Sequence, residues 1–252
     1  MLTDRFNDNW FQTLRALGND HPRQHSVSLL VDGAFIPGLH RKIAKVCTPI
    51  LLFESLPGCS EEAKDVSPML VPFQPSSPVL DEFLGVCSGY PMVSALITVE
   101  APAKLAARLA AWCLVDAGGQ YFHFRIADTR RLPGIYRALT PPQRHSLHGP
   151  AIAWHYVDRS GHWSKIVLDS QDGPVPEAPP KLSDEQFALL VDDAEADSLL
   201  VLLEDRGHVW TSPSKAHEAV CSAMRTADAA RVPEAELLTW CEEFINRLPS
   251  HP

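Results

Sequence analysis

His217 and Cys221 stand four residues apart in a stretch of helical periodicity, so both would project from one helix face at the spacing of two zinc ligands. Zinc needs at least one further protein ligand and an oriented outer shell, and no third Cys or His completes the pattern. His145 and His148, at H-x-x-H spacing, meet the same objection, and a surface or interface role accounts for them. No metal and no other cofactor is therefore expected. Gly85-Val86-Cys87-Ser88-Gly89 has the order G-x-x-S-G, whereas a nucleophile elbow requires G-x-S-x-G at a strand-to-helix turn. Asp32-Gly33 and Gly118-Gly119 are turn signals without the glycine spacing that aims backbone donors at phosphate. No catalytic residue is assigned, and the chain is expected not to be an enzyme.

The most informative stretch is residues 122–132, Phe-His-Phe-Arg-Ile-Ala-Asp-Thr-Arg-Arg-Leu. Alternating apolar residues run there into a helix start, and Asp128 is placed to cap that helix: its oxygens would accept from the first-turn N–H groups. Arg125 and Arg130 bracket the carboxylate. The trio could hold an anion, but an ion pair plus a cap explains it with fewer assumptions.

The elements that must position these residues alternate. Phe6, Trp10, Phe11, Leu14 and Leu17 predict a helix over residues 4–17 closed by Gly18. Residues 27–31 are a short apolar strand, and Pro37 leads into a helix with Leu39, Ile43 and Val46. Ser77-Pro78 opens another helix, residues 92–99 form a strand, and Pro102 opens an Ala- and Leu-rich helix broken by Gly118-Gly119. A strand follows at residues 121–126, a short helix after Thr140-Pro141-Pro142, and a hairpin over 151–157 and 162–168. This predicts an α/β region over residues 1–168 with a mixed sheet. Residues 169–181, rich in Pro and acids, predict a semi-extended linker. Residues 182–252 predict a smaller all-α lobe of three helices, the first opened by the capping box Ser183 and Gln186.

Composition narrows the function classes. With 252 residues and 45% hydrophobic content the chain can bury a sizeable core. A net charge of -9 argues against nucleic acid and against an anionic membrane surface. No apolar run reaches bilayer length, and the first residues lack a basic stretch followed by an apolar one. The six cysteines include no C-x-x-C pair and mostly lie in apolar segments, as thiols of a reducing cytoplasm do.

Residues 122–132 are similar to the F-R-F-Y-D-P-R-V-L signature of the type VI secretion effector adaptors, chaperones that load toxic effectors onto the VgrG spike. Leu30-Val31-Asp32-Gly33-Ala34 with Pro37-Gly38-Leu39 resembles that family's L-L-D-G-A and P-x-L. Leu51-Leu52-Phe53-Glu54 and Ser67-Pro68-Met69-Leu70-Val71 stand where it has L-F-E-G-T and G-P-Y-L-V. His148-Gly149-Pro150 and Trp154 match its F-G-P and W. The set covers residues 27–155 in the family's order, with Ala127, Thr129 and Ser67 replacing its usual Tyr, Pro and Gly. The resemblance implies a cytoplasmic adaptor that binds a cognate type VI effector and hands it to VgrG, with no nucleic acid or membrane as partner. A small hydrolase or transferase using Ser88 or His145 and His148, and an immunity-type toxin inhibitor, are the competing readings.

Leu199-Leu200-Val201-Leu202-Leu203 is apolar all round a helix, where a surface helix shows a stripe. Burial within the lobe and partner binding both explain it. With Phe244, Ile245 and Leu248 as a second apolar face, Leu199, Leu200 and Leu203 are expected to form an effector-docking groove where the helical lobe faces the α/β region.

Overall fold

Two strands carry almost nothing but apolar side chains and small hydroxyls, and such runs are buried on both faces. They are the middle of a six-stranded sheet in the computed structural model, which describes residues 2–20, 24–75, 78–168 and 171–247. In chain order the elements are α1 (Trp10–Asn19), β1 (Ser26–Val31), α2 (Leu39–Ile43), β2 (Ile50–Leu51), α3 (Glu61–Asp65), β3 (Met69–Pro72), α4 (Pro78–Gly85), β4 (Val93–Thr98), α5 (Pro102–Ala111), β5 (Leu114–Ala117) and β6 (Gln120–His123). There follow α6 (Leu132–Ala138), α7 (Pro141–His148), β7 (Ala153–Val157), β8 (Trp163–Ile166), β9 (Lys181–Leu182), α8 (Asp184–Asp205), α9 (Pro213–Ala230) and α10 (Glu234–Arg247).

The large sheet has the order β2-β3-β1-β4-β7-β8, and every pairing in it is antiparallel. Strand–helix alternation here does not produce parallel crossovers. A parallel pairing occurs instead between β5 and β9, in a small sheet of order β6-β5-β9. Alternation along β1 and β4 sends Leu29, Val31, Ala95 and Ile97 to one face, against Trp10 and Leu14 of α1. Leu30 and Leu96 go to the other, against Leu105 and Leu109 of α5 and Ile135 of α6.

The helix from Pro102 ends at Ala111, not at Gly118-Gly119. Val115 and Ala117 turn inward at period two, which makes residues 114–117 a strand. Gly118 and Gly119, at φ 61° and 81°, close the β5–β6 hairpin in a backbone that other residues enter with strain. Helix α1 begins at Trp10 rather than residue 4, and Gly18 lies inside it, pressed on Phe73 and Pro75.

Residues 171–180 have no regular structure but are not a free linker. The Gly173 carbonyl accepts from Arg108 at 2.7 Å, and the Pro180 carbonyl accepts from Asp116 N–H at 2.9 Å just before β9 joins β5. The C-terminal region is all helical. Its core holds Ala196, Leu199 and Leu203 of α8, Val220 and Ala223 of α9 and Cys241 of α10. An N-terminal arm ties the two regions: Asp4 N–H donates to the Arg159 carbonyl, and the Asp4 carboxylate accepts from the Ser212 hydroxyl and Ser214 N–H at the start of α9. Among the described residues no helix is long and apolar enough to cross a membrane.

Candidate binding cleft

The quoted sequence segments meet in one place. Asp32, 2% exposed, accepts from Ala34 N–H at 2.9 Å in a tight turn over Gly33–Phe35, and its other oxygen takes the Arg125 guanidinium at 2.8 Å. Gly33 is packed on the Ser67 carbonyl so closely that a side chain would not fit. The Ser67 hydroxyl in turn accepts from Phe53 N–H at 3.0 Å. Arg125 and Arg130 both lie over the Phe35 ring, at 4.9 and 5.6 Å from its centroid. Burial pushes the Asp32 carboxyl above its ordinary pKa, more than the positive charge and hydrogen bond of Arg125 pull it down.

Asp128 is 1% exposed and serves a turn rather than a helix cap. Helix α6 starts at Leu132, with Arg131 in the capping position and no side-chain cap. One Asp128 oxygen accepts from Arg130 N–H at 3.1 Å, and the pair of oxygens is clamped by the Arg130 guanidinium at 3.1 and 2.8 Å. An aspartate that bonds a backbone N–H two residues on uses the same chemistry as a cap one turn earlier in the chain.

The next arginine reaches the other region. Arg131 donates to the Asp193 carbonyl at 2.9 Å and pairs with Asp197 of α8 at 2.8 Å. Arg159, from the β7–β8 turn, grips Asp197 with two bonds of 2.8 Å, and Arg130 stands 3.8 Å away. Burial alone would raise the Asp197 pKa, but the Arg159 hydrogen bonds and the three positive charges hold it below the usual carboxylate value. Beside this cluster Gly134 lets α6 press on the Asp193 carboxylate.

Between α6, the β5–β6 hairpin and α8 lies a cleft of about 700 Å³. Phe124 and Ile135 form one wall, and Phe187, Leu190 and Val191 the other. Arg125 and Arg131 edge the first wall; Asp192, Glu195 and Glu234 edge the second. A smaller pocket of about 290 Å³, reaching Phe53 and Pro68, shares His123, Phe124 and Arg125 with it.

The expected docking residues do not line this cleft. Leu199 and Leu203 are buried against α9 and α10, and Leu200, Phe244 and Ile245 pack half-buried on the same core; Leu248 lies outside the described residues. The all-round apolar pattern of α8 has two causes: one face builds the three-helix core, and Val201 and Leu202 face solvent, 52% and 45% exposed. The cleft is lined instead by the N-terminal half of the helix. His217 and Cys221 are 3.7 Å apart, and among the described residues no three His, Cys, Asp or Glu side chains are grouped to hold a metal ion. His145 and His148 stack edge to face at 5.8 Å. The Ser88 hydroxyl accepts from Phe6 N–H at 3.0 Å, and burial pushes the Cys87 thiol up to about 12.

The fold and cleft describe a protein that offers an apolar, charge-edged trough between an α/β region and a helical one. Residues 27–146 match a family described as a domain of unknown function (DUF4123). That match covers the strands and turns around Asp32 and Asp128 and stops short of α8. Neither a curated protein nor a solved structure matches the chain.

Proposed function

We propose that the protein is a non-enzymatic adaptor of type VI secretion: it binds a cognate toxic effector in the bacterial cytoplasm and hands it to the VgrG spike protein. The motif resemblance and the match over residues 27–146 support the class. The observation that carries the reading is the place where the motifs converge. Arg125, which clamps Asp32, is also an edge of the cleft, so the segments that mark the class build the mouth of an apolar trough. Such a trough suits capture of a partner's apolar side chains by area removed from water, at roughly 25 cal/mol per Å², and asks for no reacting group.

Co-expression with the type VI effectors of its source bacterium, one at a time, tests this. The wild type is expected to co-purify with one of them in a fixed ratio. Val191→Arg, at a half-exposed position on the cleft wall, is expected to cut the yield of complex by at least ~10-fold, ~1.4 kcal/mol, while circular dichroism stays unchanged. Failure of the folded wild type to bind any of them, or catalytic turnover of the one it binds, would overturn the reading.

A further inference from the structure

The charges at the two edges of the cleft are not equally engaged. Arg125 is satisfied by Asp32 and Asp128, and Arg131 by Asp197 and the Asp193 carbonyl. Asp192, Glu195 and Glu234, on the opposite edge, form no ion pair among the described residues. Glu195 has Asp192, Asp228 and Glu234 around it, and partial burial together with these like charges raises its pKa. Immediately beside the acids Val191 is 53% exposed and Leu189 56%. One edge of an apolar trough therefore carries three uncompensated negative charges next to uncovered aliphatic surface, on a chain whose net charge is -9.

We propose that the cleft takes a client segment whose apolar face is flanked by lysine or arginine. Its apolar side chains enter between Ile135 and Leu190, and its cations meet Asp192, Glu195 and Glu234. This deepens the adaptor reading and rests on it. The arginines across the cleft are already held by carboxylates of their own, so an acidic flank would meet repulsion from the three unpaired acids and would have to compete for the cations opposite.

Two synthetic amphipathic helices of ~18 residues, about five turns, with the same leucine face and either lysine or glutamate flanks, provide the probe. Their binding to the full chain is read by fluorescence anisotropy at low and high salt. The lysine peptide is expected to bind at least ~10-fold more tightly, with a gap that narrows as salt screens it. The near-isosteric variant Asp192→Asn/Glu195→Gln/Glu234→Gln is expected to weaken the lysine peptide alone, whereas Val191→Gln, which removes apolar wall without adding charge, weakens both. Equal affinities, a preference for the glutamate peptide, a gap that survives in the triple amide variant, or no binding of either peptide would overturn this inference. Effector co-purification is measured separately, so each of those results leaves the adaptor reading to stand or fall by itself.

Discussion

Two arginine–carboxylate clusters do different work in this molecule. Glu100 and Arg108 are buried together inside the N-terminal region, their side chains 3% and 1% exposed and joined by bonds of 2.6 and 2.9 Å. Arg108 spends its remaining donors on the carbonyls of Ser146 and Gly173, so one side chain fastens α5, the end of α7 and the Pro-rich strap. Asp197 is the opposite arrangement: one carboxylate shared by Arg130, Arg131 and Arg159, with the acid on α8 and the bases on the α/β region. The first cluster holds a region together from within. The second holds two regions to each other, and both its edges remain reachable by water.

That contrast sets the size of the expected effects. Arg108→Met leaves the buried Glu100 carboxylate with Lys104 as its one remaining cation among the described residues and strips two carbonyls of their donor; a loss of about 3 kcal/mol in urea unfolding is expected. A loss below 1 kcal/mol would mean the cluster is no lock. Asp197→Asn should cost about 2 kcal/mol, the scale of hydrogen bonds to a charged group, and should split calorimetric unfolding into two transitions as α8 loosens from the α/β region. A single, merely shifted transition would place both clusters in the same role.

The smallest effect separates the clusters by pH. His217 abuts the Asp197 cluster, and burial first, then the positive charge of Arg159, lowers its pKa to about 4. Its folded value lies below the unfolded value of about 6.5, so as pH falls the unfolded chain takes up the proton first. His217 therefore contributes its full share of stability above about pH 6.5 and loses it progressively toward pH 4. His217→Gln should flatten the dependence of the urea midpoint on pH across that window. An unchanged slope in His217→Gln would remove the histidine from the account.

Local chemistry was legible in the sequence; long-range convergence was not. Ser183 and Gln186 announced the start of α8, and the capping box is present in the structure. The β7–β8 hairpin was readable from apolar runs on either side of residues 158–161. Asp128 was recognisable as a residue whose carboxylate must bond nearby backbone, but an aspartate turn and an aspartate cap differ only in where the following helix begins. Leu199 and Leu203 were flagged, within a run apolar on every side of a helix, as needing cover, yet nothing local says that α9 and α10 supply it. The cleft draws on β5, β6, α6, α8 and the first residue of α10, so no window of sequence contains it. Arg108 sits in an Ala- and Leu-rich helix eight positions from Glu100, without any motif to mark it. Asp197 left no trace: it is one of four acids between positions 192 and 197, and nothing local separates it from the others.

The N-terminal arm gives the order of synthesis a structural consequence. Asp4 leaves the ribosome before the hydroxyls it will hold, Ser212 and Ser214, which come some two hundred residues later. Until then the start of α9 does not exist, and the arm can bind only its earlier neighbours: Leu2 to the Gly89 carbonyl, Phe6 to the Ser88 hydroxyl, Asn7 to the Gly161 carbonyl. Closing so long a loop from an unfolded chain is entropically costly, but most of that distance has already been shortened when the sheet between them has folded. The nascent α/β region thus carries the fastener for the helical region before that region is made.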